Sequence, residues 1–193
     1  RISSAMAQIF AAEEELAESS GLSRGVVSIG ASETALNIFL LDKLRSFRMT
    51  YPGIKLKIFN YSTPQAIESV KNDQVDFAVV STPADVHMPL KMTVLRSFRE
   101  ILVGGRTFTA LGSQELSIEE LQDYSFICLG RETTTFEFYK QLFLSHGIEL
   151  DPDTEAATTD QILPLVKGEL GMAFIPEAMA ADALRSREIV RIP

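Results

Sequence analysis

The sequence predicts an α/β fold, in which short buried strands alternate with amphipathic helices. Three runs, Val26–Ala31, Val75–Val80 and Ser125–Leu129, are mostly apolar and too short for helices, as buried strands are, and the first two are rich in β-branched residues. Segments with helical spacing of apolar residues lie between such runs. Each run is followed by Ser, Thr or Gly. This repeated strand, polar turn and helix is typical of a parallel α/β layer.

The first unit of this kind organises the amino-terminal half. Its strand, Val26–Ala31, is followed by Ser32 and Thr34, and either hydroxyl is suited to cap the next helix. That helix has its apolar positions three and four residues apart, at Leu36, Leu40, Leu44 and Phe47. The turn therefore lies at the carboxyl end of a strand, where we expect a ligand.

Two further strands complete the first lobe. Ile54–Ile58 alternates apolar residues with lysines, as a half-exposed strand does, and Pro64 fits the first turn of a helix capped by Ser62 or Thr63. The run Val75–Val80 is a third strand. One lobe thus accounts for residues 25 to about 82.

The middle of the chain is predicted to pass from this lobe into another. Residues 84–91 are expected to form a loop, and Thr93–Gly104 is a long extended run that suits a connection between lobes. Ser117 begins a short helix with a capping-box pattern, and Ser125–Leu129 is the fourth buried strand. Gly130 ends that strand.

The second half repeats the architecture of the first without repeating its sequence. A helix from Phe136 to His146 is closed by Gly147, a residue suited to a left-handed cap. Loop residues 151–153 follow, and then come the remaining predicted elements: a helix from Thr158 to Gly168, a strand at Met172–Ile175, a helix at Glu177–Arg185 and an extended segment at Ile189–Ile192.

The amino-terminal segment has a short heptad pattern. Ile2, Ile9 and Leu16 are seven residues apart, which favours a self-associating helix over Arg1–Ser19, although an amphipathic helix lying on its own domain fits as well. Residues 21–25 have the composition of a hinge.

Composition excludes several classes of protein. With 18 Lys and Arg against 26 Asp and Glu the net charge is −8, which argues against a surface that binds phosphate backbone. Cys128 is the only cysteine, so an intrachain disulfide is excluded, and its apolar neighbours favour a buried thiol. The sequence has no apolar run near the roughly 18 residues of a membrane helix and no secretory-leader pattern.

Motifs for catalysis and metal binding are missing from the sequence. Two histidines and one cysteine do not supply a usual zinc site, and no carboxylate cluster has metal-ligand spacing. His146 stands at a helix carboxyl terminus, which favours a structural role, and His87 is predicted to lie on the surface. We therefore expect no metal, no cofactor and no enzymatic activity.

Hydroxyl groups at the starts of helices are the most informative feature. Each one alone is more often a helix cap than a ligand contact, but several clusters at the ends of parallel strands predict a shared anion-binding pocket. Arg131 either binds a ligand carboxylate or pairs on the surface with Glu132 or Glu137. The candidate binding residues are Ser32, Thr34, Ser62, Thr63, Arg131, Thr133, Thr158 and Thr159.

Four segments resemble the effector-binding domain of LysR-type transcriptional regulators. They are GVVSIGASET at 25–34, FRMTYPGIKLKI at 47–58, VDFAVV at 75–80 and VKGELGMAFIPEAMA at 166–180. The resemblance implies two Rossmann-like subdomains joined by crossing strands, as in type 2 periplasmic binding proteins, with a small inducer in the cleft. It also implies a linker helix at 1–24, subdomain I at 25–97 and subdomain II at 98–193, with a final return to subdomain I that would lie beyond Pro193.

The same resemblance implies a function and its partners. A cytoplasmic homodimer or homotetramer would bind a small, anionic metabolite at the candidate residues and at Gly130, which the resemblance adds to them. It would contact DNA only through a winged helix-turn-helix outside this chain, with no membrane partner. Its subunits would pair through the helices at Leu36–Phe47 and Phe136–His146. An extracytoplasmic solute-binding protein has the same fold and is the main alternative; an enzyme on this fold is a third.

Overall fold

The computed structural model describes residues 24–193 as two compact units. The first unit ends at Ser97 and the second runs from Phe98 to Pro193. The predicted linker helix at Arg1–Ser19 lies outside the described residues.

The first unit is built on a three-stranded parallel sheet. Its strands are β1 (Gly25–Ala31), β2 (Ile54–Asn60) and β3 (Phe77–Val79), in the order β2-β1-β3. Ile29 in the central strand stands opposite Ile58 on one side and Phe77 on the other. The carboxyl ends of all three strands therefore meet at one edge, as the sequence predicted.

A helical segment interrupted by a π turn covers one face of this sheet. It consists of α1 (Glu33–Ala35), the π turn (Leu36–Leu40) and α2 (Leu41–Thr50). Leu40 packs with Ile29 and Ala31 in the core of the unit, because the helical period places it against β1.

The opposite face carries α3 (Thr63–Lys71). Ala66 and Ser69 of this helix are buried, and a Cβ atom at Gly30 would approach the ring of Tyr61 to 3.0 Å and the Ser69 hydroxyl to 3.5 Å. Glycine in β1 thus leaves room for the Tyr61 ring, which precedes α3.

The second unit has strands of both directions. The five strands are β4 (Glu100–Gly105), β5 (Ile127–Leu129), β6 (Thr154–Ala156), β7 (Ala173–Pro176) and β8 (Ile189–Ile192). Central β4 is antiparallel to β7 and to β8, β5 is parallel to β6, and a bridge from Phe126 to Met172 links the two groups.

Helices cover this unit and divide its apolar residues into two core clusters. They are α4 (Thr134–Ser145), α5 (Thr159–Lys167) and α6 (Glu177–Arg185), together with 3₁₀ helices at Arg106–Ser113 and Glu119–Asp123. Val103, Ile127 and Val166 belong to one cluster, while Phe126 and Phe143 belong to the other. Strands β4, β5 and β7 alternate their side chains between the two clusters.

Two expectations about the second unit are wrong, and two of its elements were not predicted. The run Thr93–Gly104 pairs as a strand only from Glu100 onward, and the antiparallel β4 means that this unit does not repeat the first. The strand at Thr154–Ala156 and the 3₁₀ helix at Arg106–Ser113 were missed, because neither has a clear apolar period. Gly147, in contrast, has φ of +74° and closes α4 as predicted.

Candidate functional site

The candidate site in the first unit lies where the three parallel strands end. Ser32 Oγ follows β1 and is 3.3 Å from Ser81 Oγ, which follows β3. Thr63 Oγ1, after β2, donates a hydrogen bond of 3.1 Å to the Ser81 carbonyl. We call Ser32, Ser62, Thr63 and Ser81 the first-unit edge. The topology thus brings these residues together, as the sequence predicted.

Each of these hydroxyls also has a local structural role. Ser32 Oγ accepts from the Ala35 amide at 3.2 Å, and Ser62 forms a capping box with Gln65, whose side chain accepts from the Ser62 amide at 3.0 Å. Thr63 is buried, whereas Ser32 and Ser62 are half-buried. The capping bonds fix the positions of the hydroxyls, and Ser32 and Ser62 keep access to solvent.

Thr34 has a different position from the one considered in the sequence. It lies within α1 rather than at its cap, and it is buried. Ser32 is the cap, because its extended backbone directs its hydroxyl at the first turn. A direct contact between Thr34 and a ligand therefore stays a prediction. The small exposed fraction of the Thr34 side chain does not favour it.

The charge near the first-unit edge is negative. Glu33 accepts a hydrogen bond of 3.2 Å from the Asn60 amide group, so its carboxylate lies close to the ends of both β1 and β2. None of the four residues of the first-unit edge is cationic. Any anionic group bound here would depend on hydroxyls and on the amides at the helix amino termini.

The candidate site in the second unit lies at the carboxyl ends of β5 and β6. Because Leu129 stands opposite Ala156 in a parallel ladder, Gly130 and Thr158 follow at the same edge. Thr133 folds back on Gly130, donating from its amide at 3.0 Å and from Oγ1 at 2.7 Å to the Gly130 carbonyl. We call Gly130, Arg131, Thr133, Thr158 and Thr159 the second-unit edge.

Thr133 and Thr158 both precede helices but use their hydroxyls differently. Thr133 Oγ1 accepts from the Phe136 amide at 3.1 Å and caps α4. Thr158 makes no side-chain cap bond to α5, and the Gln161 side chain instead accepts from the Ala157 amide at 2.8 Å. The half-buried Thr158 hydroxyl is therefore not used in capping α5.

Arg131 is exposed and pairs with a residue that the sequence did not suggest. Its guanidinium is 3.7 Å from Asp151 and lies over the Phe136 ring at 5.6 Å from the centroid. The predicted surface partners, Glu132 and Glu137, are wrong, because the loop that follows α4 returns Asp151 to the start of that helix. Binding of a ligand carboxylate by Arg131 stays a prediction.

The two histidines each lie beside a carboxylate, and the cysteine is half-buried. His146 Nδ1 is 3.0 Å from Glu119, and His87 is 2.8 Å from Asp85 on the surface, as predicted. Burial, with a smaller contribution from Glu155, raises the pKa of the Cys128 thiol to about 12, so it remains protonated. Within residues 24–193, no group of three or more His, Cys, Asp or Glu is placed to hold a metal ion.

Sequence reasoning missed three residues at these edges. Ser81 follows the third predicted strand and could have been included by the rule that selected Ser32. Asn60 and Glu132 carry no such signal, because their positions depend on the neighbouring strand and on the fold of the turn after β5.

Within the described part of the chain, no helix is long and apolar enough to span a membrane.

Comparison with known families gives a match over most of the chain. The model of the LysR substrate binding domain matches residues 20–193. This range contains both units and every residue of the two edges.

Curated relatives with similar sequences are described as regulators of transcription. A probable RuBisCO transcriptional regulator of Porphyra purpurea is 28% identical over 173 residues, which cover 84% of this chain and 53% of the relative. The HTH-type transcriptional regulator AlsR of Bacillus subtilis (strain 168) is 22% identical over 157 residues, covering 80% and 52%. The chain thus spans about half the length of these relatives.

Solved structures share the fold at low sequence identity. The effector binding domain of QuiR in complex with shikimate has a TM-score of 0.72 at 16% identity, covering 88% of this chain and 80% of that one. The regulatory domain of Synechocystis PCC6803 CcmR in complex with 2-PG has a TM-score of 0.71 at 19% identity, with the same coverage. The predicted fold class is confirmed.

Proposed function

The chain belongs to the LysR substrate-binding domain family, and on that premise we propose that it is the effector-sensing domain of a LysR-type transcriptional regulator. The family match across residues 20–193 is the observation that carries the proposal. The family consists of transcriptional regulators rather than enzymes, which agrees with the expected lack of catalytic chemistry.

The effector we propose is a small anionic metabolite. The hydroxyls of Ser32, Ser62 and Ser81 supply hydrogen-bond donors at the first-unit edge, and the Thr158 hydroxyl and the Arg131 guanidinium supply them at the second-unit edge. Helix amino termini at both edges favour negative charge. Hydroxyls and helix termini together suit a carboxylate that also carries hydroxyl groups.

Binding would act on DNA through segments outside this chain. We propose a winged helix-turn-helix on the amino-terminal side, a homodimer or homotetramer as the working assembly, and a location in the cytoplasm beside the DNA. A metabolite that favours one arrangement of the assembly by about 1 to 3 kcal/mol, the usual range of coupling free energies, would change DNA affinity sufficiently.

The experiment begins with a thermal-shift screen of metabolic carboxylates and phosphates, since a ligand that binds only the folded state raises its melting temperature. Calorimetry then compares the best binder on Ser32→Ala, Thr63→Ala and the unchanged protein. We expect each variant to lose about 1 kcal/mol or more of binding free energy, the size of a lost buried hydrogen bond.

Ser117→Ala is the matched control. Ser117 Oγ also accepts from a backbone amide at the start of a helical turn, at 3.3 Å from the Glu120 nitrogen, but it belongs to neither edge. Its removal should lower stability to a similar degree and leave the affinity unchanged. Undiminished affinity in both Ser32→Ala and Thr63→Ala would contradict the site assignment.

A further inference from the structure

Glu132 has a position at the second-unit edge that the proposed function does not explain. Its carboxylate lies over Gly130, so that a Cβ atom added to Gly130 would be 2.5 Å and 2.6 Å from its two oxygens. Glu132 is exposed, and its carboxylate makes no hydrogen bond or ion pair with another residue of the described range 24–193. A full negative charge therefore stands directly on the backbone at which an effector is expected.

The cation at this edge, Arg131, is not ion-paired with Glu132. Arg131, the neighbouring residue, directs its guanidinium to Asp151 at 3.7 Å and over the Phe136 ring. Its guanidinium thus forms its ion pair with Asp151 and not with Glu132.

A second carboxylate adds to the negative potential. Glu155 in β6 stands opposite Cys128 in the register of β5 and β6, and its charge contributes to the raised pKa of the Cys128 thiol. Glu155 therefore acts on the strand that ends at Gly130. A phosphate or carboxylate placed over Gly130 would approach the like charge of Glu132 directly, which disfavours it.

The remaining groups at this edge suit a different kind of ligand atom. Glu132 accepts hydrogen bonds only, whereas the Thr158 hydroxyl both donates and accepts. A hydroxyl or ammonium group can donate to Glu132 in a charge-assisted hydrogen bond, which is stronger than a bond between neutral groups.

We propose that Glu132 sets the charge class of the effector: the part of the effector that lies on Gly130 carries hydroxyl or amine groups, and phosphate or carboxylate is excluded there. This inference rests on the proposed function, since it assumes that the effector reaches Gly130. It assigns specificity to a residue that the sequence pattern had not singled out.

The test measures the affinity of 2-phosphoglycolate, a small multiply charged anion, for the unchanged protein, Glu132→Gln, Glu132→Asp and Glu149→Gln. Glu132→Gln should raise the affinity at least about fivefold, because it removes one like charge at close range without changing the shape of the side chain. Glu132→Asp keeps the charge and should stay within about twofold of the unchanged protein.

Glu149→Gln is the matched control for the change in net charge. Glu149 is exposed, follows α4 and belongs to neither edge. It should leave the affinity within about twofold. The gain in Glu132→Gln should also shrink as salt is raised, because the repulsion it removes is screened.

Equal affinity in Glu132→Gln and the unchanged protein, including the case where neither binds, would overturn the proposal. An equal gain in Glu149→Gln would overturn it too, since the effect would then come from net charge alone. These results are separate from the test of the proposed function: a loss of effector affinity in Ser32→Ala together with an unchanged Glu132→Gln would contradict only the role of Glu132.

Discussion

Glu100 is a carboxyl group that the fold withdraws from water. It is the first residue of β4 and stands opposite Pro176 of β7. The nearest cation along the chain, Arg99, pairs with Glu177 at 3.7 Å and so does not compensate Glu100. Burial raises the pKa of Glu100 from 4.5 to about 7.

This shift predicts a pH dependence of stability. The carboxyl of Glu100 loses its proton near pH 4.5 in the unfolded chain and near pH 7 in the folded one. The stability that the protonated Glu100 contributes to the fold is therefore full below pH 4.5 and is lost as the pH rises through 7. Glu100→Gln, which is neutral throughout, should raise the free energy of unfolding at pH 8 by about 2 kcal/mol and change little at pH 4. Urea titration at the two pH values measures this.

Glu149→Gln serves as the control, since Glu149 is exposed and should show no such pH-dependent gain. If Glu100→Gln were no more stable than the unchanged protein at pH 8, the carboxyl would have to be solvated in the folded state.

The 3₁₀ helix Arg106–Ser113 depends on a carboxylate from a distant segment. Glu169 accepts from the Thr107 hydroxyl at 2.6 Å, from the Arg106 amide at 2.7 Å and from the Thr107 amide at 3.4 Å. Glu169 itself has φ of +64°, directly after Gly168 closes α5. A side chain on Gly105 would displace this carboxylate from its hydrogen bonds.

Glu169→Ala should lower the free energy of unfolding by roughly 1 kcal/mol, the net contribution of hydrogen bonds at an exposed position. The hydrogen bonds from Thr107 lower the pKa of Glu169, so the difference from the unchanged protein should disappear as the pH falls through that lowered value. Thermal unfolding at neutral and acidic pH checks both statements. A loss that persists unchanged at low pH would contradict the capping role.

Helix ends were the part of the fold most accessible from sequence. Ser62 with Gln65, Ser32 and Gly147 are local signals, and each has the predicted role because a cap needs only residues within one turn. The helix Glu177–Arg185 has the predicted bounds. The strand Thr154–Ala156 has no such local signal, since it is defined by pairing with β5.

The sequence predicted which residues of the candidate site share a sheet edge, but not the partners of their side chains. Parallel strands imply that Ser32 and Thr63 share an edge, and they do. The partner of Arg131 and the unused hydroxyl of Thr158 could not be predicted, because they depend on where Asp151 and Gln161 lie in three dimensions. Which of these residues touch an effector is still a prediction.

Charge is divided unequally over the whole molecule. Residues 24–97 hold nine Lys and Arg against six Asp and Glu, a net charge of +3, whereas residues 98–193 hold eight against sixteen, a net charge of −8. The apparent acidity of the chain therefore belongs to the second unit. Surfaces of opposite sign steer association between copies of a protein.

If the proposed dimer pairs the first unit of one copy with the second unit of another, its affinity should fall with salt. Raising the salt concentration from about 0.05 M to about 0.5 M should weaken self-association by roughly tenfold, because exposed charges are screened. Sedimentation at both concentrations measures this. Lys57→Glu should weaken it at low salt only, and association that strengthens with salt would indicate an apolar interface instead.

The π turn at Leu36–Leu40 has a consequence for how insertions and deletions act on this protein. A π turn holds one residue more than an α turn, so removing one residue from it would leave a continuous α-helix. The deletion would change the rotation of the first turn. If α2 kept its place on β1, Glu33–Ala35 would turn by about 100° about the helix axis. Ser32 would then lose its alignment with Ser81. The deletion of one residue should therefore disrupt the first-unit edge while the unit still folds.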